Sequence, residues 1–232
     1  GKENCIVVHL TLIPYLKAAQ ELKTKPTQHS VKELLQAGIQ PDILVCRTEH
    51  HLPKELKEKL ALFFFFFENY VIEAIDAETI YDVPLLMLKE KLDTTALKKL
   101  NIKNTPEPDL HTWKEFLGKL KNPTREVNIG LVGKYNELQD AYKSIYEAFI
   151  HAGAVNECKV RVIPIHSERL ESGDVVAKIK EMDGILVAPG FGERGIAGKL
   201  EAIRYVREHN VPFFGICLGM QCAVVEFSKN VL

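Results

Sequence analysis

Short runs of apolar, often β-branched residues alternate with amphipathic segments along the whole chain. That pattern predicts α/β layering with mainly parallel strands. In the first half the spacing predicts buried strands over 5–10 and 42–46, with a helix over 27–37 between them. Thr27 stands near the expected N-cap and Gly38 just past the expected end. Further helices are expected over 53–62 and 77–91, the second interrupted near Pro84. Residues 101–125 hold Pro106, Pro108, Pro123 and one amphipathic piece over 113–117, which reads as a linker with a packed helix. The expected organisation is therefore a first domain over 1–105, a linker over 106–125 and a second domain over 126–232. In the second domain, strands are expected over 127–133, 160–165, 184–187 and 211–216. Helices are expected over 141–151 (closed by Gly153), 175–182 and 195–209. Strands that end in Gly-rich loops make two doubly wound, three-layer units, with ligands at the C-terminal strand ends. Phe63 to Phe67 fit neither period and leave three readings: a core strand, an aggregation hazard or a sequence irregularity.

The sharpest chemical signal is Gly215-Ile216-Cys217-Leu218-Gly219, where an apolar run enters a turn and Met220 to Phe227 leave it with helical spacing. Glycines on both sides permit the strained bend of a nucleophile elbow. A thiol there sits at the start of the outgoing helix, whose dipole favours thiolate. Cys217 is thus the candidate nucleophile, against the commoner role of cysteine as a small buried side chain. Cys222, five positions on, faces an apolar stripe and reads as packing.

Composition removes some classes of function. Thirty basic and 31 acidic side chains give a net charge of −1, so no global field favours nucleic acid or an anionic membrane. Five cysteines without metal-ligand spacing suit a reducing, cytoplasmic setting and imply no metal ligands. The longest apolar run, 60–67, is far short of the ~20 residues a spanning helix needs. A soluble protein is expected.

The loop Ala188-Pro189-Gly190-Phe191-Gly192-Glu193-Arg194-Gly195 follows the strand over 184–187. Its amides, with that of Leu218, could form an oxyanion hole. A base is less obvious. All eight histidines precede Cys217, and only His166, at a strand end, could approach the same sheet edge. A second cluster, Lys23-Thr24-Lys25-Pro26-Thr27-Gln28, brings two cations and two hydroxyls to a Pro-stiffened turn that opens a helix, as an anion or nucleotide-phosphate site would. The bland alternative is a solvated basic loop. No G-x-x-x-x-G-K-[ST] phosphate loop occurs.

Taken together, residues 23–34, Gly38-Ile39-Gln40-Pro41-Asp42, Val132-Gly133-Lys134-Tyr135, Asp140-Ala141-Tyr142-Lys143-Ser144 and 215–221 closely resemble the CTP synthases, in the right order over essentially the whole chain. The elbow alone resembles any class I glutamine amidotransferase. The resemblance implies a synthetase (amidoligase) part with a P-loop-like fold and a flavodoxin-like glutaminase part. In that family MgATP phosphorylates the 4-oxygen of UTP and ammonia from glutamine displaces phosphate to give CTP. GTP activates and CTP inhibits. By resemblance Cys217 is the nucleophile, and Gly190, Leu218, Gly219, Met220 and Gln221 line the glutamine pocket. Lys23, Thr24, Lys25, Pro26, Thr27, Gln28 and Lys59 would bind UTP or CTP, and Ile75, Asp76 and Ala77 the ATP adenine. A homotetramer is implied.

Three departures qualify the match. The family's phosphate loop and magnesium carboxylates fall upstream of Gly1, and its glutaminase His and Glu downstream of Leu232. Pro189 stands where many members carry glycine, so an oxyanion donor must come from a neighbour such as Gly190. The phenylalanine run replaces a usual Phe-Cys-Asn-Val. The chain then corresponds to the middle of the enzyme and is expected to be inactive alone. Two other readings stand beside it: a stand-alone Cys hydrolase using His166, and a non-catalytic module that binds pyrimidine nucleotide at residues 23–28.

Overall fold

The computed structural model describes residues 4–64, 68–135, 140–170 and 175–232. It divides into two compact units, 1–109 and 110–232.

The first unit runs β1 (Val8–Ile13), β2 (Tyr15–Leu16), β3 (Glu21–Leu22), α1 (Lys25–Gln36), β4 (Ile43–Thr48), α2 (Lys54–Phe63), β5 (Val71–Ile75), α3 (Val83–Lys89) and α4 (Leu92–Lys99). Its main sheet is parallel, in the order β1-β4-β5, and β2 and β3 form a small antiparallel pair. Alternation along β4 sends Leu44 and Cys46 to one core with Ile13, Val31 and Leu60. Ile43 and Val45 go to the other face, against Met87, Leu92 and Ala96. Burial pushes the Cys46 thiol up to about 12, so this sulfur is packing material.

Several expectations shift here. β1 begins at Val8, not at residue 5, because Asp42 clamps Val7: its amide donates to Val7 O and its Oδ2 accepts from Val7 N. As an edge strand, β1 buries Thr11 and Ile13 and leaves Val8, Leu10 and Leu12 exposed. α1 starts two residues early, since Pro26 fits a first turn that needs no N–H. Thr27 therefore lies inside the helix and is no cap. Its buried hydroxyl donates to Leu12 O at 3.0 Å and accepts from Thr11, tying α1 to β1. Gly38, at φ +78°, follows the helix end as expected. Pro84 opens α3 rather than interrupting a longer helix. β5 and α4 were not foreseen. Phe63 ends α2 and the buried Phe64 is its C-cap, while Phe65, Phe66 and Phe67 lie outside the described residues.

The second unit runs α5 (His111–Lys121), β6 (Arg125–Gly133), α6 (Lys143–Val155), β7 (Cys158–His166), α7 (Val175–Ile179), β8 (Gly184–Val187), α8 (Ile196–Glu208), β9 (Phe213–Gly215) and α9 (Leu218–Asn230). The segment expected as a linker thus holds α5, whose Phe116 meets His151 of α6 with ring centroids 5.9 Å apart. All four strands are parallel, in the order β7-β6-β8-β9. Leu131 and Leu186 face Tyr142 and Phe149 on one side. Val132, Ile165 and Val187 face Ile179, Ala202, Ile203 and Val206 on the other. Helices cover both faces, and the chain reverses direction across the sheet between β6 and β8, where doubly wound folds bind ligands.

Gly153 does not close α6, which continues to Val155. A Cβ at Gly153 would lie 2.6 Å from the Cys158 carbonyl oxygen, so the glycine lets the helix lie against β7. β9 is shorter than the expected 211–216 and, as an edge strand, leaves Phe214 exposed. α8 and α9 are joined by Arg207, which donates from Nε to Glu226 Oε2 at 2.9 Å and from Nη2 to Oε1 at 2.8 Å. Glu226 is 2% exposed.

Two outcomes follow for stability. Helix propensity favours alanine over glycine by about 1 kcal/mol, but forcing an atom against the Cys158 carbonyl costs about 1–3 kcal/mol. Gly153→Ala should therefore lower the urea midpoint at unchanged slope, and a raised midpoint would refute the close approach. The hydrogen bonds from Arg207 hold the Glu226 carboxyl below its usual range. Its contribution is complete above about pH 4.3, the unfolded glutamate value, and disappears as pH falls through the lowered folded value. Acid titration of unfolding should show that loss in the unsubstituted chain, and a shallower one in Glu226→Gln.

Candidate active site

Gly215 and Gly219 set the geometry of the elbow. A Cβ on Gly219 would sit 2.2 Å from Val187 O, and one on Gly215 would sit 2.7 Å from Gly219 C and Met220 N. The first turn of α9 therefore lies directly against the end of β8, and the chain has two residues in which to turn from β9 into it. Ile216 N donates to Val187 O at 3.0 Å and Gly219 N to Ile216 O at 2.9 Å, fastening both sides of the bend. Between them Cys217 is driven to φ +51° and ψ −109°, at the N-cap of α9. Strain of this kind in a non-glycine residue marks functional turns.

The bend presents Cys217 as exposed, while Cys222 is buried among aliphatic side chains with its thiol pushed up by burial. Cys222 packs as the sequence suggested, and Cys217 stands accessible at the bend. No amide partner for Leu218 or Gly190 occurs among the described residues.

The glycine-rich loop sits at the β6–β8 switch point. Lys134, just past β6, donates from Nζ to Phe191 O, and its own amide donates to the Tyr142 hydroxyl at 3.3 Å. Lys199, in the first turn of α8, is fully buried and donates from Nζ to Ala188 O at 2.8 Å. Burial lowers its pKa from the ordinary lysine value. The Cys222 and Cys217 sulfurs oppose that shift and Lys134 adds to it. Lys199 went unremarked in the sequence, although the signal was there: with Ala202, Ile203 and Val206 it shares the i, i+3, i+4, i+7 stripe that faces the core.

His166 is not brought to Cys217. It ends β7, three strand spacings from β9 across the sheet, or roughly 14 Å. The Cys–His hydrolase built on His166 fails on that order of strands.

In the first unit, Lys23 and Thr24 join β3 to α1 and residues 25–28 form its first turn, which Thr27 ties to Leu12 near the C-terminal end of β1. Much of the cluster's polarity is already used. Lys23 pairs with Glu21, Thr24 is buried and accepts from Gln28 Nε2 at 3.4 Å, and Thr27 is tied to Leu12. Lys25 is exposed, and of the first turn of α1 the amides of Lys25 and Thr27 remain, since Pro26 has no N–H and Gln28 N donates to Thr24 O at 3.0 Å. Ile75, Asp76 and Ala77 lie at the C-terminal end of β5, with Asp76 Oδ1 accepting from Arg47 at 3.0 Å. Lys59 lies midway along α2 and is exposed. A cavity of about 480 Å³ bordered by Lys57, Glu90, Lys91 and Lys98 lies at the other end of β5, and none of these expected ligand residues lines it. Among the described residues no group of three or more His, Cys, Asp or Glu side chains could hold a metal ion, and no helix is long and apolar enough to cross a membrane.

The family described as CTP synthase N-terminus matches residues 1–102, and glutamine amidotransferase class-I matches 137–232. A CTP synthase of Cytophaga hutchinsonii is 66% identical over the whole of this chain and 43% of the relative, and one of Flavobacterium johnsoniae 64% over the same shares. A solved Trypanosoma brucei CTPS glutaminase domain with bound acivicin is 41% identical, covering 45% of this chain and 41% of that one, at a TM-score of 0.41. The chain spans about 43% of the length of the curated relatives it matches. The first unit thus matches the CTP synthase N-terminal domain and the second the class-I glutamine amidotransferase domain, and the chain is similar to part of the CTP synthases from end to end.

Proposed function

We propose that the protein aminates UTP to CTP at the expense of ATP, with ammonia released from glutamine at Cys217. The observation that carries this is the exposed Cys217 at φ +51°, followed by Leu218, whose amide, like that of Gly190, has no partner among the described residues. The sulfur attacks the carboxamide carbon of glutamine, and the carbonyl electron pair moves onto oxygen, where those amides receive it. The C–N bond then breaks, and ammonia leaves with the proton released by the thiol. The thioester is hydrolysed by water to glutamate, restoring the thiol. By resemblance the proton carrier is a histidine beyond Leu232. Gly219, Met220 and Gln221 form the α9 wall of the glutamine pocket.

In the first unit, Lys25, Lys23, Lys59 and the opening amides of α1 are the groups that would receive UTP or CTP phosphates, and residues 75–77 the ATP adenine. The start of α1 and residues 75–77 share the strand-end side of one parallel sheet, which supports the reading. Among the described residues no group of three or more His, Cys, Asp or Glu could hold magnesium, so no phosphoryl-transfer step is assigned to them. Activation by GTP, feedback by CTP, tetrameric assembly and a cytoplasmic site belong to the same proposal and rest on the resemblance.

In the whole enzyme, Cys217→Ala should reduce glutamine-dependent CTP formation by about 10³-fold or more while leaving ammonia-dependent synthesis intact. Equal loss with both nitrogen sources would refute the assignment. Lys25→Ala should raise the KM for UTP by about tenfold, the order expected for one charge-assisted phosphate contact, with glutamine hydrolysis unchanged. An unchanged KM would remove Lys25 from the nucleotide site.

A further inference from the structure

Lys199 heads the large side chains that are completely buried, on the core-facing stripe of α8. Packing alone gives no reason for an ammonium there, since Met or Leu would fill similar space without desolvating a charge. What the ammonium does is hold one carbonyl, that of Ala188, at 2.8 Å. Lys134 holds another, that of Phe191. The Ala188–Pro189 and Phe191–Gly192 peptide planes, each one plane removed from those that flank Gly190, are thus held by two cations from different elements. Between them lies the Gly190 amide, with no partner among the described residues.

Pro189 sharpens the effect. It offers no N–H, and its ring fixes φ. Once the Ala188–Pro189 plane is pinned, ψ of Pro189 is the single torsion left to aim the Gly190 N–H. The space beyond is closed as well: a Cβ at Gly190 would lie 3.1 Å from Lys134 Cε and 3.7 Å from Lys199 Nζ.

We propose that Lys199 is a positioning residue for glutamine hydrolysis: by holding the Ala188 carbonyl it keeps the Gly190 amide aimed at the oxyanion that forms when Cys217 attacks. Lys199 touches neither substrate nor the reacting atoms and acts through the loop backbone. The proposal rests on the glutaminase reading of Cys217 and adds to it the residue that sets the donor's direction.

The test uses the whole enzyme, with Lys199→Met and Lys199→Gln. Two rates are measured: glutamine hydrolysis, and alkylation of Cys217 by iodoacetamide, a displacement at a saturated carbon that forms no oxyanion. Misdirecting one oxyanion donor should lower kcat of K199M for hydrolysis by about 10–100-fold, below the 10²–10³ reported for outright donor removal, with KM and alkylation within about twofold. K199Q, which keeps an N–H donor at shorter reach, should recover part of that kcat. Unchanged kcat in K199M overturns the role, as does K199Q no better than K199M. Parallel loss of hydrolysis and alkylation also overturns it, because the elbow itself has then been disturbed. If K199M does not fold, K199Q against the unsubstituted enzyme decides: a several-fold fall in kcat at unchanged alkylation supports the role, and no fall overturns it. Absence of hydrolysis in the unsubstituted enzyme, with Cys217 still alkylated, overturns the glutaminase reading and this proposal with it.

Discussion

The approach of α9 to the end of β8 is the constraint on which the second unit's site depends. At Gly219 the two backbones are so close that no side chain fits between them, and at Gly215 the same holds for the strand against the helix it feeds. With both contacts imposed, the intervening residue has no relaxed conformation available. The positive φ of Cys217 follows from the packing of its neighbours, as does its exposure. The cores on the two sheet faces hold β8 and α9 in place, so hydrophobic burial far from the sulfur maintains the strain at it.

The parts of this arrangement that depend on local spacing were legible in the sequence. Gly-x-Cys-x-Gly between a strand run and a helical run needs no tertiary knowledge to read as a sharp bend, and the strand over 184–187 came out with its bounds intact. Alternation in β4 and the stripe of α8 were equally local. What could not be read was whichever feature depended on a partner distant in sequence. Gly153 resembled a helix stop because glycine commonly is one; its purpose appears only when β7 lies across it. Thr27 resembled a cap because its hydroxyl's partner, Leu12, is fifteen residues away. His166 stayed a candidate base until the strand order put two strands between β7 and β9.

Lysines show the same division. Lys23 and Lys25 stand out in sequence because they flank a proline, yet Lys23 is already paired with Glu21. Lys199 draws no notice among thirty basic residues, yet it is buried and holds a loop carbonyl beside the candidate nucleophile. Charge density along a chain is a poor guide to where charge matters. A cation on an apolar helical stripe is a better one, because burial there requires a compensating partner.

The conformation of Cys217 has an evolutionary corollary. Any L side chain is disfavoured at that φ and ψ by about 1–3 kcal/mol, whereas glycine is tolerated there. Replacing the thiol by glycine would thus relax the backbone while abolishing the nucleophile, so inactivating drift at this one codon runs downhill in folding energy. A descendant released from selection for sulfur chemistry should keep its scaffold, and should become sturdier for having lost its purpose.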